Sequence, residues 1–202
     1  MKIFLKNKLP IQCKGELSQS CVAMGITDWG SLIHYLRSLP YGRISNSRSL
    51  ELVFSEGRGT DSIKHALLAK VAHENGMKDL KLVLCTYHID EASHPEAGQV
   101  LKHYCLPAIP EARCFIKYDG RIWHLMQDDA ASKPEIISEI EIAPQQIGNF
   151  KKRYHKKYIQ SWLQIEHLHK HWNADQIWSI REECIEAAEG NWESCMQLLC
   201  CA

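Results

Sequence analysis

The chain has 202 residues, 45% of them hydrophobic, which suits one ordinary domain with an appended helical piece and excludes general disorder. Lysine and arginine total 24 and aspartate and glutamate total 24, so the formal charge is zero. Neither nucleic acid nor an anionic membrane is therefore expected as the main partner, because both call for a basic excess.

The opening MKIFLKNKLP alternates apolar and basic residues and lacks the apolar run of a secretory signal, and Lys2–Leu5 reads as a short strand. With no stretch near the ~18 apolar residues of a membrane span, a cytoplasmic location is expected. Thr27 and Asp28 are N-cap candidates for a helix over Gly30–Leu39, which Pro40 stops. Leu50, Leu52 and Phe54 alternate as a short strand does.

Behind Gly57-Arg58-Gly59-Thr60-Asp61-Ser62, the residues Ile63, Ala66, Leu67, Val71 and Ala72 recur at helical spacing until Asn75-Gly76. Leu80–Tyr87 has the length and apolarity of a buried strand, and one helix is expected over Ala97–His103. Ala112–Tyr118 and Arg121–Met126 form a hairpin about Asp119-Gly120. Two-residue closure sets Tyr118 opposite Arg121, Arg113 opposite Met126 and Phe115 opposite His124. Arg113 and His124 then share a sheet face as diagonal neighbours, ~7–8 Å apart at the backbone.

Ile136, Ile140 and Ile142 suggest another strand, ended by Pro144. Beyond it, Ile147, Phe150, Tyr154, Tyr158, Trp162 and Ile165 make the stripe of an amphipathic helix. Ile177, Ile180, Cys184 and Ala188 make a second, capped by Asn173, and Asn191 is a candidate cap for a last short helix. The basic run Lys151-Lys152-Arg153 with Lys156-Lys157 reads as a solvated helix face, balanced by Glu182, Glu183, Glu186 and Glu189. The fold class is α+β, with a core over residues 1–143 and a helical C-terminal extension over 144–202, packed as a single unit.

Nine cysteines and eleven histidines raise the question of metal or thiol chemistry. The cysteines contain no Cys-x-x-Cys pair, so no structural zinc is expected. In a helix, His167 and His171 would share a face, but His169 would not, and no nearby Cys, Asp or Glu completes a site. No metal and no cofactor is expected.

Arg58-Gly59-Thr60-Asp61-Ser62-Ile63-Lys64-His65-Ala66-Leu67-Leu68, the later Pro110-Glu111-Ala112-Arg113-Cys114-Phe115 and the Leu-Pro-Tyr-Gly-Arg turn at 39–43 resemble transglutaminase-like proteins, specifically a small bacterial group of that superfamily. Pro144–Gly148 and Ile177–Ile185 carry the same resemblance, which spans about residues 29–189. It implies a papain-like fold that transfers acyl groups at amides, with a cysteine opening a helix and a histidine and an aspartate on the two hairpin strands. Those three positions hold Asp61, Arg113 and His124. A carboxylate is no thiolate, and a guanidinium, always protonated, is no base. The resemblance therefore implies a degenerate enzyme that binds a peptide, a small molecule or a partner protein in the remnant groove. The alternative is a hydrolase with an Asp61/His124 acid–base dyad and Arg113 binding an oxyanion or a carboxylate. Thiol catalysis by a displaced Cys85 or Cys105 is a third expectation, and His65 reads as an ordinary helical histidine.

Overall fold

The computed structural model describes residues 9–126 and 135–200, with side chains as far as Ala188. The Lys2–Leu5 strand and the side chains of Cys195, Cys200 and Cys201 lie outside the described residues. The elements in order are α1 (Glu16–Ala23), α2 (Trp29–Ser38), α3 (Leu52–Glu56), α4 (Asp61–Glu74), β1 (Lys81–Asp90), a 3-10 turn (Pro95–Ala97), α5 (Gly98–His103), β2 (Ala108–Tyr118), β3 (Arg121–Trp123), β4 (Ser138–Glu141), a second 3-10 turn (Pro144–Ile147), α6 (Asn149–Ile165) and α7 (Ala174–Cys200). The sheet order is β3-β2-β1-β4. This is an α+β protein.

The polypeptide divides into two compact units, neither continuous in sequence. The first gathers Met1–Cys85, Arg113–Ala131 and Glu139–Lys151, and the second Thr86–Ala112, Ser132–Ser138 and Lys152–Ala202.

In the first unit, α4 is buried nearly all round: Ser62 through Ala69, then Val71 and Ala72, all lie inside. Such a helix draws its stability from packing rather than propensity. Helix α2 turns Trp29, Leu32, Ile33 and Leu36 inward, and Asp28 caps it by accepting from Ser31 N at 2.9 Å and Ser31 Oγ at 2.8 Å. Trp29 and Ile33 of α2, Leu68 of α4 and Ile116 of β2 line one small apolar slot, which places the core between these elements.

The hairpin has the expected register, Tyr118 opposite Arg121 and Ile116 opposite Trp123. Asp119 and Gly120 take positive φ of 50° and 67°, as a two-residue hairpin of this type demands. Strand β3 is shorter than expected, ending at Trp123, so His124 and Met126 lie beyond the ladder.

Three other expectations are corrected. Leu50–Phe54 holds no strand: Leu52–Glu56 is helical and closed by Gly57 at φ 62°, and the buried pair Leu50 and Val53 has helical spacing. The inward face of α6 is His155, Ile159, Trp162 and Leu163, one position off the expected stripe, while Ile165 is 72% exposed. The pattern misled because His155, a polar residue, is buried and hydrogen-bonded to the Pro110 carbonyl at 3.0 Å. Helix α7 runs unbroken past Asn191, so no separate last helix begins there. Its start is as expected, with Asn173 Oδ1 accepting from Asp175 N and Gln176 N at 3.0 Å each.

In the second unit, Arg181 grips the buried Glu111 carboxylate with two bonds, Nε to Oε2 at 2.7 Å and Nη2 to Oε1 at 3.0 Å. The same unit pairs Lys156 with Asp175, Arg181 with Glu182 and Tyr104 with Glu183. On the basic face of α6, Lys156 thus meets Asp175. No described helix is long and apolar enough to cross a membrane.

Helix α1 is capped from a distance. Glu74, at the end of α4, accepts from Leu17 N at 3.4 Å, Ser18 N at 2.8 Å and Ser18 Oγ at 2.6 Å. Gly15 makes room for it, since a Cβ there would lie 2.2 Å from Glu74 Cδ. Gly15→Ala must therefore displace the carboxylate, and Glu74→Ala removes it. Each is expected to cost ~1 kcal/mol, and the double variant little more than either alone, because both delete one cap. Urea unfolding of the three variants measures this, and full additivity would contradict it.

Candidate active site

Helix α4 starts at a cap supplied by Thr60, whose Oγ1 accepts from Ile63 N at 3.4 Å. Asp61 is therefore the first helical residue and not, as its place after Gly59-Thr60 suggests, the cap itself. Its carboxylate still gains from the positive potential of the helix start, and its side chain is left to face outward from the turn.

Two groups meet that side chain. Arg113 of β2 brings Nη1 to 3.4 Å from Asp61 Oδ2, and His124, just after β3, brings Nε2 to 3.7 Å from the same oxygen. The three positions singled out from the sequence thus converge on one carboxylate oxygen. Side-chain exposures of 26% for Arg113, 18% for Asp61 and 7% for His124 grade the site from rim to floor.

His124 has one nitrogen engaged and one not. Nδ1 accepts from Met126 N at 3.0 Å, which assigns the ring proton to Nε2. Nε2 is buried and has no hydrogen-bond partner among the described residues, since 3.7 Å to Asp61 exceeds bonding distance. A buried N–H left this way costs ~1–3 kcal/mol.

His65, one turn along α4, is the residue that sequence reasoning undervalued. It is fully buried, and both of its nitrogens are committed. Nδ1 bonds the Asp61 carbonyl at 2.6 Å, and Nε2 accepts from Leu125 N at 2.8 Å. Arg37 of α2 completes the clamp, its Nε donating to the Leu125 carbonyl at 2.6 Å. The His65, His124 and Phe115 rings pack edge-on, with centroids 5.2 to 5.9 Å apart. One imidazole thus ties the first turn of α4 to the segment that carries His124. The sequence did hold a signal for this role, since a histidine amid the apolar run of a core helix must find partners inside. Nothing in the sequence marks Arg37.

Other groups frame the start of α4. Ser62 Oγ accepts from Cys114 N at 3.2 Å, which fixes β2 against the helix. Lys64 is buried, donates from Nζ to the Leu39 carbonyl at 2.5 Å, and has its pKa held down by burial. The Leu39–Arg43 turn is held from the other side by Gly59 N donating to the Pro40 carbonyl at 3.2 Å.

The displaced-cysteine expectation meets opposite electrostatics at Cys85, where burial pushes the thiol up to about 12. Cys105 is exposed, in a left-handed turn at φ 53° rather than at a helix start. The His167–His171 stretch is not helical. Helix α6 ends at Ile165 and His167 sits at φ 58°, so the shared-face premise for a metal pair fails. Among the described residues no group of three metal-ligating side chains assembles.

Burial, first of all, pushes His65 down to about 4 and His124 to about 3, the latter helped by His65 itself. Between these values and ~6.5 the unfolded histidines bind protons that the folded ones refuse. Stability therefore rises with pH across that window and is lost as pH falls through it. Urea midpoints from pH 7 to pH 4 should fall, with each histidine contributing up to ~1.4 kcal/mol per pH unit. His65→Gln should flatten the slope by about one proton, and an unchanged slope would refute the assignment.

No family model matches the chain, and no curated protein or solved structure matches it, so the likeness to transglutaminase-like proteins rests on the sequence segments themselves.

Proposed function

We propose that this chain is a catalytically degenerate transglutaminase-like protein, a papain-like core kept as a cytoplasmic binding module for a peptide, a small molecule or a partner protein. The observation that carries the reading is the state of the groups around Asp61. Where the resemblance calls for a thiolate, a general base and its orienting acid, there stand a carboxylate, a guanidinium and an imidazole with no lone pair to offer. His124 spends the lone pair of Nδ1 on Met126 N–H and carries its proton on Nε2, toward Asp61. The ion-pair polarity of a cysteine–histidine site is kept by Asp61 and Arg113, while the reactivity is gone.

An Asp61/His124 hydrolytic dyad is the weaker reading. His124 would have to accept a proton from water, and that requires giving up the Met126 bond and reversing its tautomer. Its pKa, held down to about 3 by burial, also makes it a poor base near neutrality.

Amide hydrolysis and amine transfer on peptide substrates test the proposal. The unaltered protein should show no turnover, and the triple variant Asp61→Cys, Arg113→His, His124→Asp should acquire activity or rapid iodoacetamide labelling at position 61. Turnover by the unaltered protein that disappears in both Asp61→Asn and His124→Gln would replace this reading with the dyad.

A further inference from the structure

In the second unit, four polar side chains hydrogen-bond in a row. Ser138 Oγ, on the first residue of β4, lies 2.7 Å from Thr86 Oγ1, and either hydroxyl can be the donor. The hydroxyl of Tyr158, on α6, shares a hydrogen bond with the same Thr86 side chain and lies 3.2 Å from His88 Nε2. Thr86 is wholly buried, and the other three are half-buried. Thr86 and His88 are two residues apart on β1, so both project from one sheet face, where Tyr158 meets them.

A hydroxyl has one proton to give, so three hydroxyls that end on an imidazole have two orderly states. With His88 Nε2 unprotonated, the phenol donates to it, since a phenol is a better donor than a neutral imidazole. Tyr158 then accepts from Thr86, and Thr86 from Ser138. The remaining lone pair of Ser138 is left to whatever approaches the β4 edge. With Nε2 protonated, every bond in the row reverses. His88 donates to Tyr158, Tyr158 to Thr86 and Thr86 to Ser138, whose own proton turns outward. The one proton gained is taken by His88 from solvent, and the hydroxyls only rotate. We propose that His88, Tyr158, Thr86 and Ser138 form a pH-set relay, in which His88 decides whether Ser138 offers an acceptor or a donor at the β4 edge.

The groups around His88 set where the reversal falls. Burial among neighbours that include the Tyr158 and Trp162 rings of α6 holds its pKa below the ordinary ~6.5. Glu166, just after α6, and Asp90, at the end of β1, pull it the other way. Asp90 is bonded by Ser93 Oγ at 2.6 Å and Ser93 N at 2.7 Å, which keep its carboxyl below the usual carboxylate range. It is therefore a constant negative charge while His88 titrates. The reversal is expected on the acid side of neutrality.

Ser138 lies two hydroxyls away from His88, so its influence on that ring must travel along the row. The titration of His88 is followed by NMR in full-length protein labelled with carbon-13 at histidine, the signal being identified by its absence in His88→Gln. Ser138→Ala leaves the buried Thr86 hydroxyl without its acceptor in the reversed state alone, so the His88 pKa should fall by ~0.5. The Ile137 N bond to the Thr86 carbonyl, at 2.8 Å, keeps the strand in place in this variant. Ser138→Thr, which retains a hydroxyl, should titrate as the unaltered protein does. Thr86→Val should also lower the pKa, and adding Ser138→Ala to it should change nothing further. A His88 titration indifferent to Ser138→Ala, or a second equal fall in the Thr86→Val background, overturns the inference.

Discussion

A buried histidine must find a donor and an acceptor inside the protein or bear the cost of leaving a nitrogen unpaired, and His65 finds both. Its Nδ1–H goes to the Asp61 carbonyl and its Nε2 takes the Leu125 N–H. The two partners lie on segments separated by about 60 residues, so a single neutral ring sets the distance between the start of α4 and the stretch after β3. Arg37 holds the carbonyl of the same residue, Leu125. The positions of Asp61 and His124 relative to one another follow from these three bonds. Protonating His65 would turn its acceptor nitrogen into a donor facing another donor, which is why burial and neutrality belong together here.

The second unit solves a similar problem with full charges. Glu111 is almost wholly buried, and Arg181 meets it bidentately. Ala112 N supplies a further bond to the same carboxylate at 2.9 Å. Such a pair is costly to desolvate and contributes little net stability, but removing either partner strands a buried charge. The first unit places neutral histidines at its centre, and the second an ion pair whose hydrogen-bonding capacity is nearly filled.

The hairpin and α4 were legible because their signals are local. Asp119-Gly120 fixes a two-residue turn, and a two-residue turn fixes register, so the pairing of Tyr118 with Arg121 and of Ile116 with Trp123 followed from the sequence. The expected pairing of His124 with Phe115 and of Met126 with Arg113 did not form, because the ladder ends at Trp123. The shift in α6 came from His155, a polar side chain on an inward face that a hydrophobic pattern cannot include. The short segment Leu50–Phe54 failed for a different reason. Five residues are too few to separate a period of two from one of 3.6, and Gly57 at positive φ decided the matter in favour of a helix. Arg37 and the distant cap from Glu74 were invisible because both reach a partner set only by the tertiary fold.

Thr60 frees the residue after it from the work of capping α4. Because the threonine hydroxyl satisfies the Ile63 amide, the helix does not depend on the side chain that follows. A carboxylate, a thiol or an amide can occupy position 61 at nearly the same cost to the helix. The cap and the side chain that meets Arg113 and His124 are therefore supplied by adjacent but different residues. A turn divided in this way tolerates a change of side chain at position 61 without a change in the helix that follows.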